Sequence, residues 1–323
     1  MDRRGRKTNN EALEKPGLSR LMDDKINQRA ELAEKDWWNQ YADLESQIWN
    51  YNWLLSSVVR RNYLREMVKF LYRPGGRVLD IGCGDGWVGL LLAQRGMHVD
   101  GIDLAEAQIE LAQRRAQARG LDNARFWCAS TADLPEEANY DGIIIHATLH
   151  HLNQEQRQDL LNQTGKLLAP DGRLYMYEPI AALLPRPLIA RFLDRGMGVL
   201  IRTLKRTARN LRLSRDNIRR AVRDGWTMQS PNEAPLVLSQ VELELPEGLA
   251  LDQVRYWHVF SIAYANFCME LKPFWQAVFS PGVVLFYLLD RVILNLEMGQ
   301  YLLSWPMAAI KVKKSIRKCC ARD

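Results

Sequence analysis

Residues 78–86 read Val-Leu-Asp-Ile-Gly-Cys-Gly-Asp-Gly, an apolar run that carries one acid, Asp80, and leads into three glycines and a second acid, Asp85. Val78, Leu79 and Ile81 have the character of a buried parallel strand. Gly82, Gly84 and Gly86 then free the backbone to turn tightly and let a ligand come close. Gly84, Gly86 and Gly89 also satisfy the G-x-G-x-x-G spacing of dinucleotide binders. Asp80 argues against that reading, because a pyrophosphate would have to lie on this turn beside a carboxylate that repels it. The acid suits a cation.

About 20 residues further on, His98-Val-Asp-Gly-Ile-Asp-Leu104 predicts a second strand ending in Asp103, an acid placed to hydrogen-bond a ribose diol. A cation holder next to a ribose holder fits S-adenosylmethionine (SAM), which carries both an ammonium and a sulfonium. Cys83, inside the same loop, reads as a small apolar filler rather than a nucleophile. Three of the five histidines, His146, His150 and His151, fall together in His146-Ala-Thr-Leu-His-His-Leu152.

The elements that must hold these residues follow in order. Ala105 to Arg119 has helical spacing and Gly120 stops it. Arg125 to Ala129 is a predicted third strand, followed by Asp133-Leu-Pro135. Tyr140 to Ile145 is a fourth, opening into the histidine segment. A helix over Gln154 to Leu168 and a turn at Pro170-Asp-Gly172 precede a fifth strand, Arg173 to Glu178. Strands alternating with helices of 10–15 residues specify a doubly wound α/β fold.

Over about residues 70–180 these four ordered motifs resemble the class I SAM-dependent methyltransferases, especially those related to ubiquinone and menaquinone methyltransferases. The resemblance implies a Rossmann-like sheet of seven strands with an antiparallel last strand. It also implies that Asp80, Gly82 and Gly84 hold the methionine part of SAM, with Cys83 in the same loop. Asp103 would take the ribose hydroxyls, Leu104 would lie beside the adenine, and His146 would face the sulfonium. Where the family often has an acid for the adenine amino group, this chain has Ser130 and Thr131, so a hydroxyl must serve there.

Methyl transfer needs an aligned nucleophile, exclusion of water and a proton acceptor. His150 or His151 is the expected base or orienter, and Glu178, at the carboxyl end of the fifth strand, a second orienter. The expected acceptor is an apolar or amphiphilic small molecule, with oxygen favoured as the methylated atom over nitrogen or carbon. The rivals are an RNA methyltransferase, prompted by arginine density, and a non-catalytic protein that keeps the fold as a scaffold. No RNA-binding motif or Asn-Pro-Pro-Tyr-type tetrapeptide supports the first, and intact Asp80 and Asp103 oppose the second.

The chain has 323 residues, 47% of them apolar, and a net charge of +6. Five scattered cysteines give neither a disulfide framework nor a metal-ligand spacing, so no metal is expected and a reduced cytoplasmic setting is the simplest. Residues 1–24 read as a disordered polar tail without a signal sequence. Residues 25–72 read as a helical lid rich in aromatics, in which the Tyr41 hydroxyl could reach a substrate. Residues 73–182 form the SAM-binding core. Residues 183–248 form a basic excursion: Arg186 to Arg223 holds twelve Lys or Arg against Asp194 and Asp216. Its helix from Leu188 divides Phe192, Leu193, Met197, Val199, Leu200 and Leu204 from Arg191, Arg195, Arg202, Lys205 and Arg209. Such a helix either caps a core or lies on anionic lipid at the inner membrane face. Residues 249–313 supply a sixth strand (Leu249–Val259), two apolar helices (Ser261–Phe279, Val283–Met298) and an antiparallel seventh strand (Tyr301–Val312). A basic tail, 314–323, closes the chain.

Overall fold

A computed structural model describes residues 16–48, 53–134, 139–181, 188–227, 229–295 and 307–314. Three helices come first: α1 (Pro16–Ile48), α2 (Trp53–Val59) and α3 (Arg61–Leu71). The core then runs β1 (Arg77–Ile81), α4 (Gly89–Ala93), β2 (His98–Asp103), α5 (Glu106–Ala118), β3 (Ala124–Cys128) and β4 (Tyr140–His146). It ends with α6 (Gln154–Leu167) and β5 (Leu168–Pro179). The excursion carries α7 (Leu188–Asn210), α8 (Asp216–Arg223) and α9 (Leu238–Glu244). The C-terminal part is β6 (Leu249–His258), α10 (Phe260–Met269), α11 (Pro273–Phe279), α12 (Gly282–Asn295) and β7 (Met307–Lys314).

The seven strands form one sheet in the order β3-β2-β1-β4-β5-β7-β6. β1 to β5 pair in parallel, and β7 lies antiparallel between β5 and β6. The apolar runs of the central strands are explained by burial on both faces. Leu79, Ile81, Ile143, Ile145, Leu174 and Met176 pack on one face. Val78, Ile144, Tyr175, Tyr177 and Ala309 pack on the other. The strand order reverses between β1 and β4, so their carboxyl ends diverge and leave a crevice for a ligand.

The predicted seven-stranded, doubly wound sheet with its antiparallel last strand is what forms. Several boundaries differ. Helix α1 begins at Pro16, inside the stretch read as a disordered tail, while residues 1–15 lie outside the described residues. The predicted helix over Ser261–Phe279 breaks between Met269 and Pro273. Glu270 is buried there, taking Lys205 and Arg209 of α7 at 2.8 Å each, and Pro273 starts a new helix. The described part of the seventh strand is Met307–Lys314, and Tyr301 to Pro306 lie outside the described residues. The basic tail thus begins within a strand: Lys311 and Lys313 bond Gln253 and Asp252, and Lys314 reaches the carbonyls of Gly165 and Leu168.

Helix α7 divides along its length. Ile201, Leu204 and Ala208 join the helical core of Leu55, Ala265 and Phe267. Leu188, Phe192, Val199 and Leu200 are exposed instead. No single helix among the described residues is long and apolar enough to cross a membrane; α11 and α12 pass only as a pair, bent by 44°.

Candidate active site

A cavity of about 1640 Å³ opens at the carboxyl ends of β1, β2 and β4. The glycine loop forms its floor. Gly82 has φ +64°, and a Cβ there would lie 2.4 Å from Thr148 Oγ1; Gly84, at φ +52°, has nothing nearer to such a Cβ than Gln108 Oε1 at 3.8 Å. The first glycine is therefore required by packing, and the second keeps one side open to a ligand.

Asp80 is buried, and its Oδ2 accepts the Gly89 N–H at 2.9 Å. Its Oδ1 has no partner among the described residues. Burial, opposed by the Gly89 bond and reinforced by the charges of Asp103 and Asp85, pushes its pKa up to about 7. A buried carboxylate oxygen with nothing to neutralise it is what the ammonium of SAM requires. Asp103 accepts the N–H groups of Gly84 and Ala105 at 2.9 Å each, which fixes its plane and leaves lone pairs for ribose hydroxyls. Burial also raises its pKa, against those backbone bonds. Leu104 lines the cavity, and so does Cys83, whose thiol burial pushes well above its ordinary value. Ser130 and Thr131 line it too. The Ser130 hydroxyl donates to Asp133 at 2.9 Å and accepts from the Asp133 backbone N–H in a capping box, which leaves one lone pair of its oxygen for the adenine amino group.

His146 stands at the junction of the cofactor end and the apolar end. It stacks on Tyr177 (centroids 5.1 Å apart), meets the edge of Trp87 and lies 3.3 Å from the Tyr63 hydroxyl. Burial pushes its pKa down to about 4, so the ring is neutral. The next residue, Ala147, has φ +54°, a strained conformation for a residue with a side chain. The strain turns the chain directly into the short 3₁₀ segment Leu149–His151.

That segment is held by Glu178, which is fully buried. One of its oxygens accepts the N–H groups of Thr148 and Leu149 at 2.9 and 3.0 Å, and the other faces His150 Nδ1 at 2.7 Å. Burial opposes the charge, but the bond to His150, its charge and the two amides outweigh it, and the Glu178 pKa lies below the usual carboxylate range. The ring of His151 lies 4.0 Å from that of His150, centroid to centroid. Its Nδ1 is 2.9 Å from Glu34 Oε1 and 2.9 Å from Ser230 Oγ. Glu34 comes from α1, where Trp38 Nε1 also donates to it at 2.9 Å.

The structure thus brings Asp80, Gly82, Cys83, Gly84, Asp103, Leu104, Ser130, Thr131, His146, His150 and His151 to one cavity. Two expectations need correction. Tyr41 does not line the cavity: it packs beside Trp37 onto the helical core of Leu55, Val59 and Phe267. The helical period places Trp38 and Glu34 on the cavity side instead. Glu178 does not line it either; it stands behind His150, 2.7 Å from its Nδ1. Sequence reasoning missed Glu34, Ser230 and Glu233, which line or support the histidine corner from two separate segments. A single acid in a helix or a loop carries no spacing signal.

A model of the methyltransferase domain family matches residues 78–172. Ubiquinone biosynthesis O-methyltransferase of Coxiella burnetii (strain Dugway 5J108-111) is 27% identical over 161 residues, covering 50% of this chain and 63% of that protein. The 27-O-demethylrifamycin SV methyltransferase of Amycolatopsis mediterranei (strain S699) is 30% identical over 179 residues, covering 50% and 65%. The chain therefore spans less than two thirds of these relatives. Among solved structures, magnesium protoporphyrin IX methyltransferase from Synechocystis PCC 6803, with bound SAH, superposes with a TM-score of 0.53 at 16% identity, covering 87% of this chain and 98% of that one. Joined to the strand order, these matches identify residues 78–172 as a methyltransferase domain on a Rossmann-like fold shared with SAM-dependent methyltransferases.

Proposed function

We propose that the protein transfers the methyl group of SAM to a hydroxyl oxygen of an apolar or amphiphilic small molecule such as a lipid, isoprenoid, quinone or polyketide-type metabolite. The observation that carries this is the His150–Glu178 pair, set at the end of the SAM cavity where Val59, Trp87, Val259, Ile262 and Met307 make an apolar wall. Ubiquinone biosynthesis O-methyltransferase, a relative by its core, is named for methylation on oxygen.

When bound, SAM supplies an electrophilic methyl group on a sulfonium. Asp80 holds the ammonium, Asp103 the ribose and Ser130 the adenine edge. Tyr63, Trp87, His146 and Tyr177 wall the methyl end and exclude water. The neutral His146 adds no charge beside the sulfonium. The corner of His150 and His151 would orient the acceptor hydroxyl and take its proton as that oxygen displaces the sulfur from the methyl carbon that SAM would supply. Glu178 and Glu34 keep the two rings in place.

The same reading includes the surface from which such an acceptor arrives. On α12, Val284, Leu285, Leu288, Leu289 and Val292 form an exposed stripe, and α7 adds Leu188 and Phe192. Arg191, Arg195, Arg202 and Arg206 of α7 are exposed and have no ion-pair partner among the described residues, whereas Lys205 and Arg209 are tied to Glu270. Unpaired arginines flanking apolar side chains suit an anionic membrane surface.

The test is incubation of purified protein with methyl-labelled SAM and a lipid extract, followed by chromatography. Label in an organic-phase product is expected. Label that appears only in added tRNA overturns the small-molecule reading.

A further inference from the structure

We propose that His150, His151 and Glu233 hold a divalent metal ion at the acceptor end of the cavity. One ligating atom from each of the three side chains lies within 4.8 Å of the others. Bonds of about 2.0–2.2 Å place ligands at most about 4.4 Å apart, so a small side-chain adjustment closes the site. All three residues line the cavity, so the ion would have open positions towards it.

The supporting shell is what marks the cluster out. A histidine that ligates metal characteristically gives its other ring N–H to a carboxylate, which fixes tautomer and ring plane. Both rings show this arrangement, His150 Nδ1 on Glu178 at 2.7 Å and His151 Nδ1 on Glu34 at 2.9 Å. Nε2 is then the nitrogen left to each ring. A simple proton acceptor needs one imidazole so held, and here two adjacent rings are held alike, with a third carboxylate beside them. Glu178 cannot turn away, since it is fully buried and fixed by two backbone N–H groups. Three carboxylates converge on two imidazoles, and a dication balances that charge. Two nitrogens and one carboxylate select a borderline cation of the Zn²⁺, Co²⁺ or Fe²⁺ type over Mg²⁺ or Ca²⁺, which prefer oxygen.

The catalytic use of the ion rests on the oxygen-methylation reading above. A hydroxyl bound to the ion becomes more acidic and gives its proton to water, and the oxygen then carries the lone pair that attacks the methyl carbon. With the ion bound the imidazoles serve as its ligands, and activation by the ion takes the place of the direct proton transfer to the histidines described above.

The experiment is titration of chelator-treated protein with Co²⁺, followed by visible absorption, with SAM calorimetry as the folding control. Ligand-field bands that saturate at one equivalent and disappear on Zn²⁺ addition are expected. They should be absent in His150→Ala and His151→Ala, with Co²⁺ affinity about 10–100-fold weaker in Glu34→Gln and lower again in Glu233→Gln. No band at one equivalent, or equal affinity in His151→Ala and Glu233→Gln, overturns the site. Methylation that continues at full rate in chelator would then leave the transfer reading standing without the metal. Conversely, Co²⁺ bands as expected but no labelled product from any extract would uphold the site and sink the transfer reading.

Discussion

Glu178 joins β5 to the histidine turn through both of its oxygens, one on the amides of Thr148 and Leu149 and the other 2.7 Å from His150 Nδ1. One buried charge thus sets a backbone turn and a ring orientation together. Glu178→Gln keeps the size but no longer supplies two charged acceptors. Its kcat should fall about 10–100-fold with the acceptor KM unchanged, and stability by roughly 2–4 kcal/mol. Unchanged kcat in a destabilised variant would show a purely structural role.

His150→Ala should keep SAM binding, read by calorimetry, and lose about 100-fold in turnover. Tyr41→Phe is the matched control. Because that hydroxyl stands outside the cavity wall, turnover should not change.

Asp80 gives a pH signature. Its pKa is about 7 in the folded chain against an ordinary 3.8, so between these values the folded state keeps a proton that the unfolded chain releases. The ligand-free protein therefore loses stability as pH rises across that window. SAM binding runs the other way, since the ammonium needs the ionised carboxylate and binding below pH 7 must expel a proton. Calorimetry should give a SAM affinity about tenfold weaker at pH 6 than at pH 7.5. Asp80→Asn should bind weakly at both values, without that slope.

The two loop glycines should separate stability from binding. Gly82→Ala meets Thr148 and should cost roughly 2–4 kcal/mol in denaturant titration. Gly84→Ala has room, so it should cost only about 1 kcal/mol while SAM affinity still falls, because the added methyl enters ligand space.

Liposome cosedimentation tests the exposed face. Pelleting with anionic vesicles at low salt is expected, reduced several-fold by Arg191→Glu with Arg202→Glu, and by Leu285→Asp with Leu288→Asp. Equal pelleting with neutral vesicles would remove the electrostatic part.

Much of the sheet was legible because its order is written in local chemistry. An apolar run with an acid at or beside its end recurs at β1 and β2, with a glycine turn after the first, and Gly120 stops α5 before β3. Asp80 and Asp103 were legible for the same reason, since a ligand held by backbone turns needs particular residues at fixed spacing. The histidine corner was only half legible. His150 and His151 announce themselves as a pair, whereas Glu34 lies 116 positions before His150 and Ser230 lies 79 after His151, and only tertiary packing unites them. Tyr41 was singled out for its hydroxyl, whereas helix phase sets its ring beside Trp37 on the helical core and turns Glu34 and Trp38 to the cavity. The arginines of α7 look alike in sequence, yet buried Glu270 recruits two of the helix's cations and leaves others to solvent.

His151 Nδ1 is met by two segments that do not belong to the seven-stranded sheet, Glu34 from the leading helix and Ser230 from the excursion. A trimmed version spanning residues 73–181 alone would retain Asp80 and Asp103 yet lose both partners of the His151 ring. On the function proposed above, the donor seat lies mainly in the sheet's own loops, while the histidine corner also draws on the leading helix and the excursion.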